Sequence, residues 1–391
     1  MNAPTGGVRA VLRAPGALPL LVSRTIGSLP NGMVPLGLVL MLRAHGRSYG
    51  LAGLVSGSYS VGVAFAGPPL GRLIDRVGTQ LVLVPLAIAF PAAVAGVVIA
   101  VASAAPAVVV CALALCCGAT LPPLGACMRA LWPSLVADAA MRTAAFAIDA
   151  TLQEIAFVGG PPLLAALVVL AGPAVALLAA GLAGTVGASV FAWRARGRLL
   201  LGPHGGGAMR SGQVRRLLLT SVFLGGAFGA VEVAMPAFCE AHGARADAGI
   251  LLAALAVGSA IGGVTFGARA ARGVPVHRFA VAAAAFALLL VPMLAAPSIV
   301  LMALLAIVAG APIAPAFAAE YVLLDRFSVA GAATETFAWN TTMIFVGAAA
   351  GAGAGGILIA QAGGFRAALV LAAALAAAAA LTVLAQSRRL L

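Results

Sequence analysis

The sequence is a succession of apolar runs, each long enough to cross a lipid bilayer, with short turn-forming segments between them. A helix rises about 1.5 Å per residue, so about 20 mostly apolar residues cross the roughly 30 Å hydrocarbon layer. Runs of that length lie at about 17–42, 51–71, 80–102, 106–128, 143–170, 173–193, 216–240, 248–268, 278–296, 298–324, 333–361 and 364–385. The separators are Arg43 to Gly50, Ala102 to Pro106, Ala171 to Pro173, Pro297, and Gln361 to Gly364, all rich in turn residues. The expected fold is an all-α integral membrane protein of twelve transmembrane helices, or eleven if the pair around Pro297 is continuous. The runs are unbroken and rich in Ala and Leu, which excludes a barrel of ten-residue alternating strands.

Composition removes the soluble alternative. Only 33 of 391 residues are charged and Lys is absent, so a water-facing surface could not be built from this chain. The net charge of +13 rests on thinly spread arginines without interleaved aromatics, so no nucleic-acid partner is expected. The five cysteines show no metal or redox spacing. There is no His-Glu-x-x-His motif, no nucleophile–base set and no phosphate loop. The chain is therefore not expected to be an enzyme, and no catalytic residue, metal or cofactor is assigned. The first apolar run, continuing to about Leu42, is too long for the core of a cleavable signal.

Arginine placement orients the chain. With twelve spans, 18 arginines fall on the side of the N-terminus and 4 on the other, counting Arg129 at the end of the fourth run and Arg24 in neither group. By the positive-inside rule both termini are cytoplasmic in a multi-pass protein of the inner (cell) membrane.

The longest inter-helix segment, Arg194 to Arg216, lies near mid-chain and carries six arginines and the run Gly202-Pro203-His204-Gly205-Gly206-Gly207. It reads as a solvated cytoplasmic linker. The expected units are 1–193, a six-helix bundle; 194–215, the linker; and 216–391, a second six-helix bundle. An internal echo relates them: Gly67, Gly71 and Arg76 after the second run match Gly263, Gly267 and Arg272 after the eighth, each 196 residues apart. Repeats of this kind place a substrate site near mid-membrane, between the halves.

The segment Gly71-Arg72-Leu73-Ile74-Asp75-Arg76-Val77-Gly78 resembles the signature between helices two and three of the major facilitator superfamily, Gly-x-Leu-x-Asp-Arg-x-Gly followed by two basic residues. Thr79 and Gln80 replace the basic pair. The resemblance implies two six-helix bundles around a central cavity, with Gly71, Asp75, Arg76 and Gly78 forming a conformational-switch loop. In that loop Asp75 is expected to cap the start of the next helix and to pair with a nearby Arg. The fifth run carries Gly160-Pro161 where antiporters of this superfamily have Gly-Pro-x-x-Gly-Gly, without the final glycines, which favours export over import. Similar proton antiporters place an Arg inside the fourth helix. Here the fourth run has none before Arg129, so their relay is not carried over.

Ionisable side chains within the membrane are costly and need a reason. Counted from Arg142, Asp149 lies about 10 Å in and Glu154 about 18 Å in, near the midplane. Asp149 and Gln153 share a face, with Glu154 about 100° further round. Glu154, Asp149 and Glu232 are the proton-coupling candidates, against the simpler reading of polar contacts between helices. Asn31, Gln153, Tyr59, Trp339 and Asn340 are the substrate-cavity candidates, Asn31 lying in a helix broken by Pro30 and Pro35. Arg24, Glu320 and Glu335 are expected within a turn or two of the cytoplasmic surface, snorkelling or paired there.

The expected function is secondary active export of a small, partly apolar molecule by alternating access, in exchange for protons. The alternative is a proton-coupled or facilitated uptake carrier for a sugar or other small nutrient. With Arg24 the only cation expected inside the membrane, a highly anionic substrate is disfavoured. The expected partners are a small-molecule substrate, protons and membrane lipid, and the expected working unit is a monomer.

Overall fold

The computed structural model describes residues 6–197, 207–243, 247–268, 274–362 and 364–386. A short helix α1 (Gly6–Arg13) precedes the spans. Span one is α2 (Ala17–Ser28) with α3 (Pro30–Ala44), span two α4 (Tyr49–Val77), span three α5 (Thr79–Ala102), and span four α6 (Ala107–Ala119) with α7 (Leu124–Leu135). Spans five and six form one helical stretch, α8 (Ala139–Arg194). Then follow α9 (Gly212–Ala241), α10 (Ala248–Ala268), α11 (Pro275–Leu290), α12 (Ile299–Gly310) with α13 (Ile313–Phe327), α14 (Ala333–Ala362) and α15 (Phe365–Ala385) as spans seven to twelve.

Among the described residues eleven stretches are long and apolar enough to cross a membrane. The 56-residue α8 holds two crossings, because Gly172 adopts φ 85°, ψ 165° and Pro173 follows it. That conformation is open to glycine and closed to residues with a Cβ. The expected count of twelve is met, and the pair around Pro297 is separate: α11 ends before it and α12 begins after it. The chain is a multi-pass membrane protein. Large apolar side chains such as Phe65, Leu81 and Val169 stand at the surface, where lipid rather than water is their solvent.

Three spans break where proline removes a backbone donor. Span one breaks at Leu29–Pro30, span four at Pro122–Pro123 and span ten at Ala311–Pro312. The repeat is legible in the packing. A Cβ on Gly62 or Gly118 would overlap the carbonyls of Leu115 and Tyr59, so α4 and α6 touch backbone to backbone. A Cβ on Gly258 or Gly310 would overlap the carbonyls of Ile307 and Leu255, the same contact between α10 and α12 in the second half. Small residues permit this approach, which in lipid stands in for the missing hydrophobic drive.

In the first half α2, α3 and α5 pack on α8; in the second α9 packs on α14 and α15, and α11 on α13 and α15. The halves meet where α4 and α7 face α14 and where α8 faces α10 and α13. The linker residues 198–206, with His204 and most of the glycine run, lie outside the described residues, as do Arg245, Arg269, Arg272, Arg388 and Arg389.

Candidate functional site

Two polar clusters lie inside the bundles, on the side of the membrane that holds the N-terminus. In the first half Arg24 (α2), Arg129 (α7), Asp149 and Gln153 (both α8) converge. Asp149 meets Arg24 Nε at 3.2 Å and accepts a hydrogen bond from Arg129 Nε at 2.8 Å. Gln153 Oε1 accepts from Arg24 Nη2 at 2.6 Å and from Arg129 Nη2 at 3.4 Å. Arg24 and Asp149 are 0% exposed and Arg129 2%. Two guanidinium groups share one carboxylate, so the cluster carries one positive charge in excess. Arg129 also reaches into the second half: Nη1 donates to Thr341 Oγ1 at 3.3 Å, and its guanidinium lies 4.0 Å over the Tyr321 ring.

In the second half Glu320 (α13) is buried. Its Oε1 accepts from Ser221 Oγ at 2.7 Å and Thr220 Oγ1 at 3.2 Å, both on α9. Asn340 (α14) donates to Ser221 Oγ at 3.0 Å. Glu320 Oε2 and Asn340 Oδ1 are buried without a partner, as is Arg24 Nη1 in the other cluster.

The clusters are repeat mates. Arg129 and Glu320 stand 191 residues apart, as do Asp149 and Asn340, while Arg24 is matched by Thr220 and Ser221 at 196 and 197. Each half therefore brings polar groups from its first, fourth and fifth spans together.

Between these clusters and the N-terminal side the halves are joined. Asp75, near the end of α4, accepts from the backbone N–H groups of Thr334 at 3.1 Å and Glu335 at 2.9 Å. Arg72 Nη2 donates to Glu335 Oε1 at 2.7 Å. Arg142 and Asp325 approach to 3.8 Å, and Phe146 packs against Tyr321 and Phe337. Further along, Thr342 Oγ1 donates to the Ala64 carbonyl at 2.9 Å. The same face of α4 continues through Gly57 and Gly53, and that of α14 through Gly353 and Gly356. A Cβ at any of these four would have nothing within 4 Å. The two helices touch on the N-terminal side and part towards the other.

No protein-family model matches the sequence, and no curated protein matches it. Solved structures do. A bacterial homologue of the iron transporter ferroportin, in an outward-facing state, superposes with TM-score 0.78 at 15% identity over 95% of this chain and 99% of that one. The human organic anion transporter MFSD10 gives 0.73 at 16% over 98% and 100%. The transporter FucP in its outward conformation, described as of the major facilitator superfamily, gives 0.70 at 14% over 96% and 99%. The chain has the major facilitator fold.

Within the major facilitator fold the expected site residues separate. Asp149 and Gln153 join the first cluster, and Asn340 joins the second. Glu154 is 8% exposed and makes no hydrogen bond or ion pair among the described residues; it faces away from Asp149. Glu232 is exposed and lies further along the α9 face that carries Ser221. The Asn31 amide donates to the Ser28 carbonyl at 2.9 Å, occupying an acceptor freed at the Pro30 break. Tyr59 is buried in the α4–α6 contact with its hydroxyl unpartnered, and Trp339 is half-buried with Nε1 unpartnered. In the loop, Gly71 abuts Thr334 and Glu335, Gly78 takes φ 93° to end α4, and Arg76 is exposed.

Three expectations are corrected. Arg24 and Glu320 are fully buried within the bundles and do not snorkel to the surface, Glu320 being held by hydroxyl groups, while Arg24 and Glu335 are paired, with Asp149 and Arg72. Arg129 is not at the end of its span: α7 continues to Leu135, so the fourth span does hold a buried Arg, and Arg24 is not the lone intramembrane cation. Asp75 caps α14 of the opposite half and leaves the next helix, α5, uncapped, while the nearby Arg72 pairs with Glu335 instead. The missed residues Arg129 and Glu320 did carry a signal, since the offset that relates them also relates Asp149 to Asn340.

Proposed function

We propose that the chain is a secondary active transporter that exports a small, partly apolar molecule by alternating access, in exchange for protons. One observation carries the alternating-access reading: α4 and α14 are joined from Asp75 to Thr342 and open beyond. A passage closed at one end by hydrogen bonds, ion pairs and the aromatic contact of Phe146 with Tyr321 and Phe337 has discrete contacts there whose exchange can open it. The arginine asymmetry supports placing the closed end in the cytoplasm of the inner membrane, with both termini there.

Proton coupling is supported by three carboxylates outside ordinary ion pairs. Glu154 has no polar partner among the described residues, Glu320 keeps one bare oxygen, and Glu232 lies along the same α9 face nearer the open end. A buried acid without a cation bonded to it has a place for a proton and loses little by carrying one. The neutral Asn31, Gln153 and Trp339, each half-buried, suit a substrate with modest polarity, while Tyr59 and Asn340 are buried in helix contacts. The working unit is a monomer, since both halves of the passage lie on one chain.

The test is transport in proteoliposomes with an imposed pH gradient, across a panel of small amphipathic dyes and sugars. Export predicts dye extrusion driven by inward proton flow, with alkalinisation of the proton-donating side. Sugar accumulation moving in the same direction as protons would establish the uptake alternative, and gradient-independent fluxes would refute coupling.

A further inference from the structure

The N-terminal helix α1 lies across the seam between the two halves. Val11 points into the bundle and is 0% exposed. By helical spacing Val8 and Leu12 then face one side, while Arg9 and Arg13, four residues apart, point away from the bundle. Both arginines are exposed, and neither has a hydrogen-bond or ion-pair partner among the described residues. They border a surface basin of about 830 Å³ in which the one acid, Asp138, is already engaged as the cap of α8, accepting from the Met141 N–H at 2.8 Å.

On the Leu12 side of α1 runs a groove of about 430 Å³. Leu12, Leu18, Val22 and Ile26 form one wall, with Ile148 beside them and Val264 of α10 from the opposite half. Leu18, Val22 and Val264 are about half exposed and Ile26 about a third, so the groove opens to the lipid-facing surface. Its two hydroxyls are turned back onto their own helices, Thr25 to the Leu21 carbonyl and Thr151 to the Ala147 carbonyl. Nothing polar remains for a ligand to meet inside it. The volume is of the order of one fatty acyl chain, and Arg9 and Arg13 stand on the same helix as Val8 and Leu12 of the groove's lining, two like charges that repel each other until an anion lies between them.

We propose that this seam is a binding site for one anionic phospholipid, its phosphate held by Arg9 and Arg13 and one acyl chain seated in the groove. Basic side chains at the edge of a transmembrane bundle recognise anionic head groups in this way. Because α2 and α8 supply one wall and α10 the other, the lipid touches both halves at once.

The experiment is native mass spectrometry of the full purified chain, offered equal amounts of phosphatidylglycerol and phosphatidylcholine. Two arginines near a head group contribute about fivefold each, so phosphatidylglycerol should be retained over phosphatidylcholine by roughly 25-fold. The double substitution Arg9→Gln with Arg13→Gln should bring the ratio near one. Leu18→Trp, which fills the groove and leaves both arginines in place, should lower retention of phosphatidylglycerol at an unchanged melting temperature. Excess free glycerol phosphate should displace nothing. Equal retention of the two lipids by the wild type, an unchanged ratio in the double variant, full retention in Leu18→Trp, or displacement by glycerol phosphate would each overturn the proposal.

Discussion

Asp75 and Glu335 belong to opposite halves, yet the Asp75 carboxylate holds the backbone N–H of Glu335 at 2.9 Å and that of Thr334 at 3.1 Å. The first N–H groups of a helix have no partner within it. The junction of α4 with α14 is thus made by one half capping a helix of the other, with a negative charge at the positive end of the helix dipole.

Replacing that cap shifts the balance of states. Asp75→Ala removes both acceptors, a loss of about 1–2 kcal/mol, equivalent to roughly tenfold in favour of opening. Pulsed electron paramagnetic resonance between labels on Arg76 and Val329 should then show a second, longer distance. A distribution identical to wild type would count against the cap as the closing device.

The charge cluster is a matter of stability before it is one of transport. Asp149→Asn leaves Arg24 and Arg129 buried without the carboxylate they share, which should cost about 3–5 kcal/mol and lower the melting temperature in detergent. Adding Arg24→Gln to Asp149→Asn removes one of the stranded charges and should recover part of the loss. A double variant less stable than Asp149→Asn would contradict this.

Coupling and passage should separate. Glu320→Gln preserves the oxygen that accepts from Ser221 and Thr220 but cannot exchange a proton. Exchange of substrate across an ungraded membrane should continue, while gradient-driven transport and its pH dependence disappear. Glu154→Gln is read by the same assay, and full gradient-driven transport in it would remove Glu154 from the coupling role.

Glycine substitutions should divide by the space around them. Gly118→Ala and Gly310→Ala place a methyl group against the carbonyls of Tyr59 and Leu255, forcing helices apart at a cost of about 1–3 kcal/mol each. Gly57→Ala meets open space and gains helix propensity of up to about 1 kcal/mol. Thermal unfolding should move down for the first two and stay level or rise for the third.

The helix count, the break at Gly172 and the half-chain repeat were all legible in the sequence, because each is written locally in run length or in spacing. The depth of Arg129 was not. A charge at the end of an apolar run reads as the place where the run leaves the membrane, and what keeps this one inside is Asp149, on the next span. Neutralisation between spans is a property of packing, which run length does not record. Glu320 was misplaced for the same reason, its donors Thr220 and Ser221 lying about a hundred residues earlier. Asp75 was assigned to the nearest helix start because adjacency in sequence is the only adjacency a sequence displays.

Arg129 is rooted in one half while it touches Thr341 and Tyr321 of the other. If the halves part at that end, as the proposed alternating access requires, those two contacts must let go, and a guanidinium group now covered becomes part of the wall. Under the export proposed above, a passenger would therefore meet a different electric landscape at each door, more positive at the cytoplasmic entrance than at the outer exit.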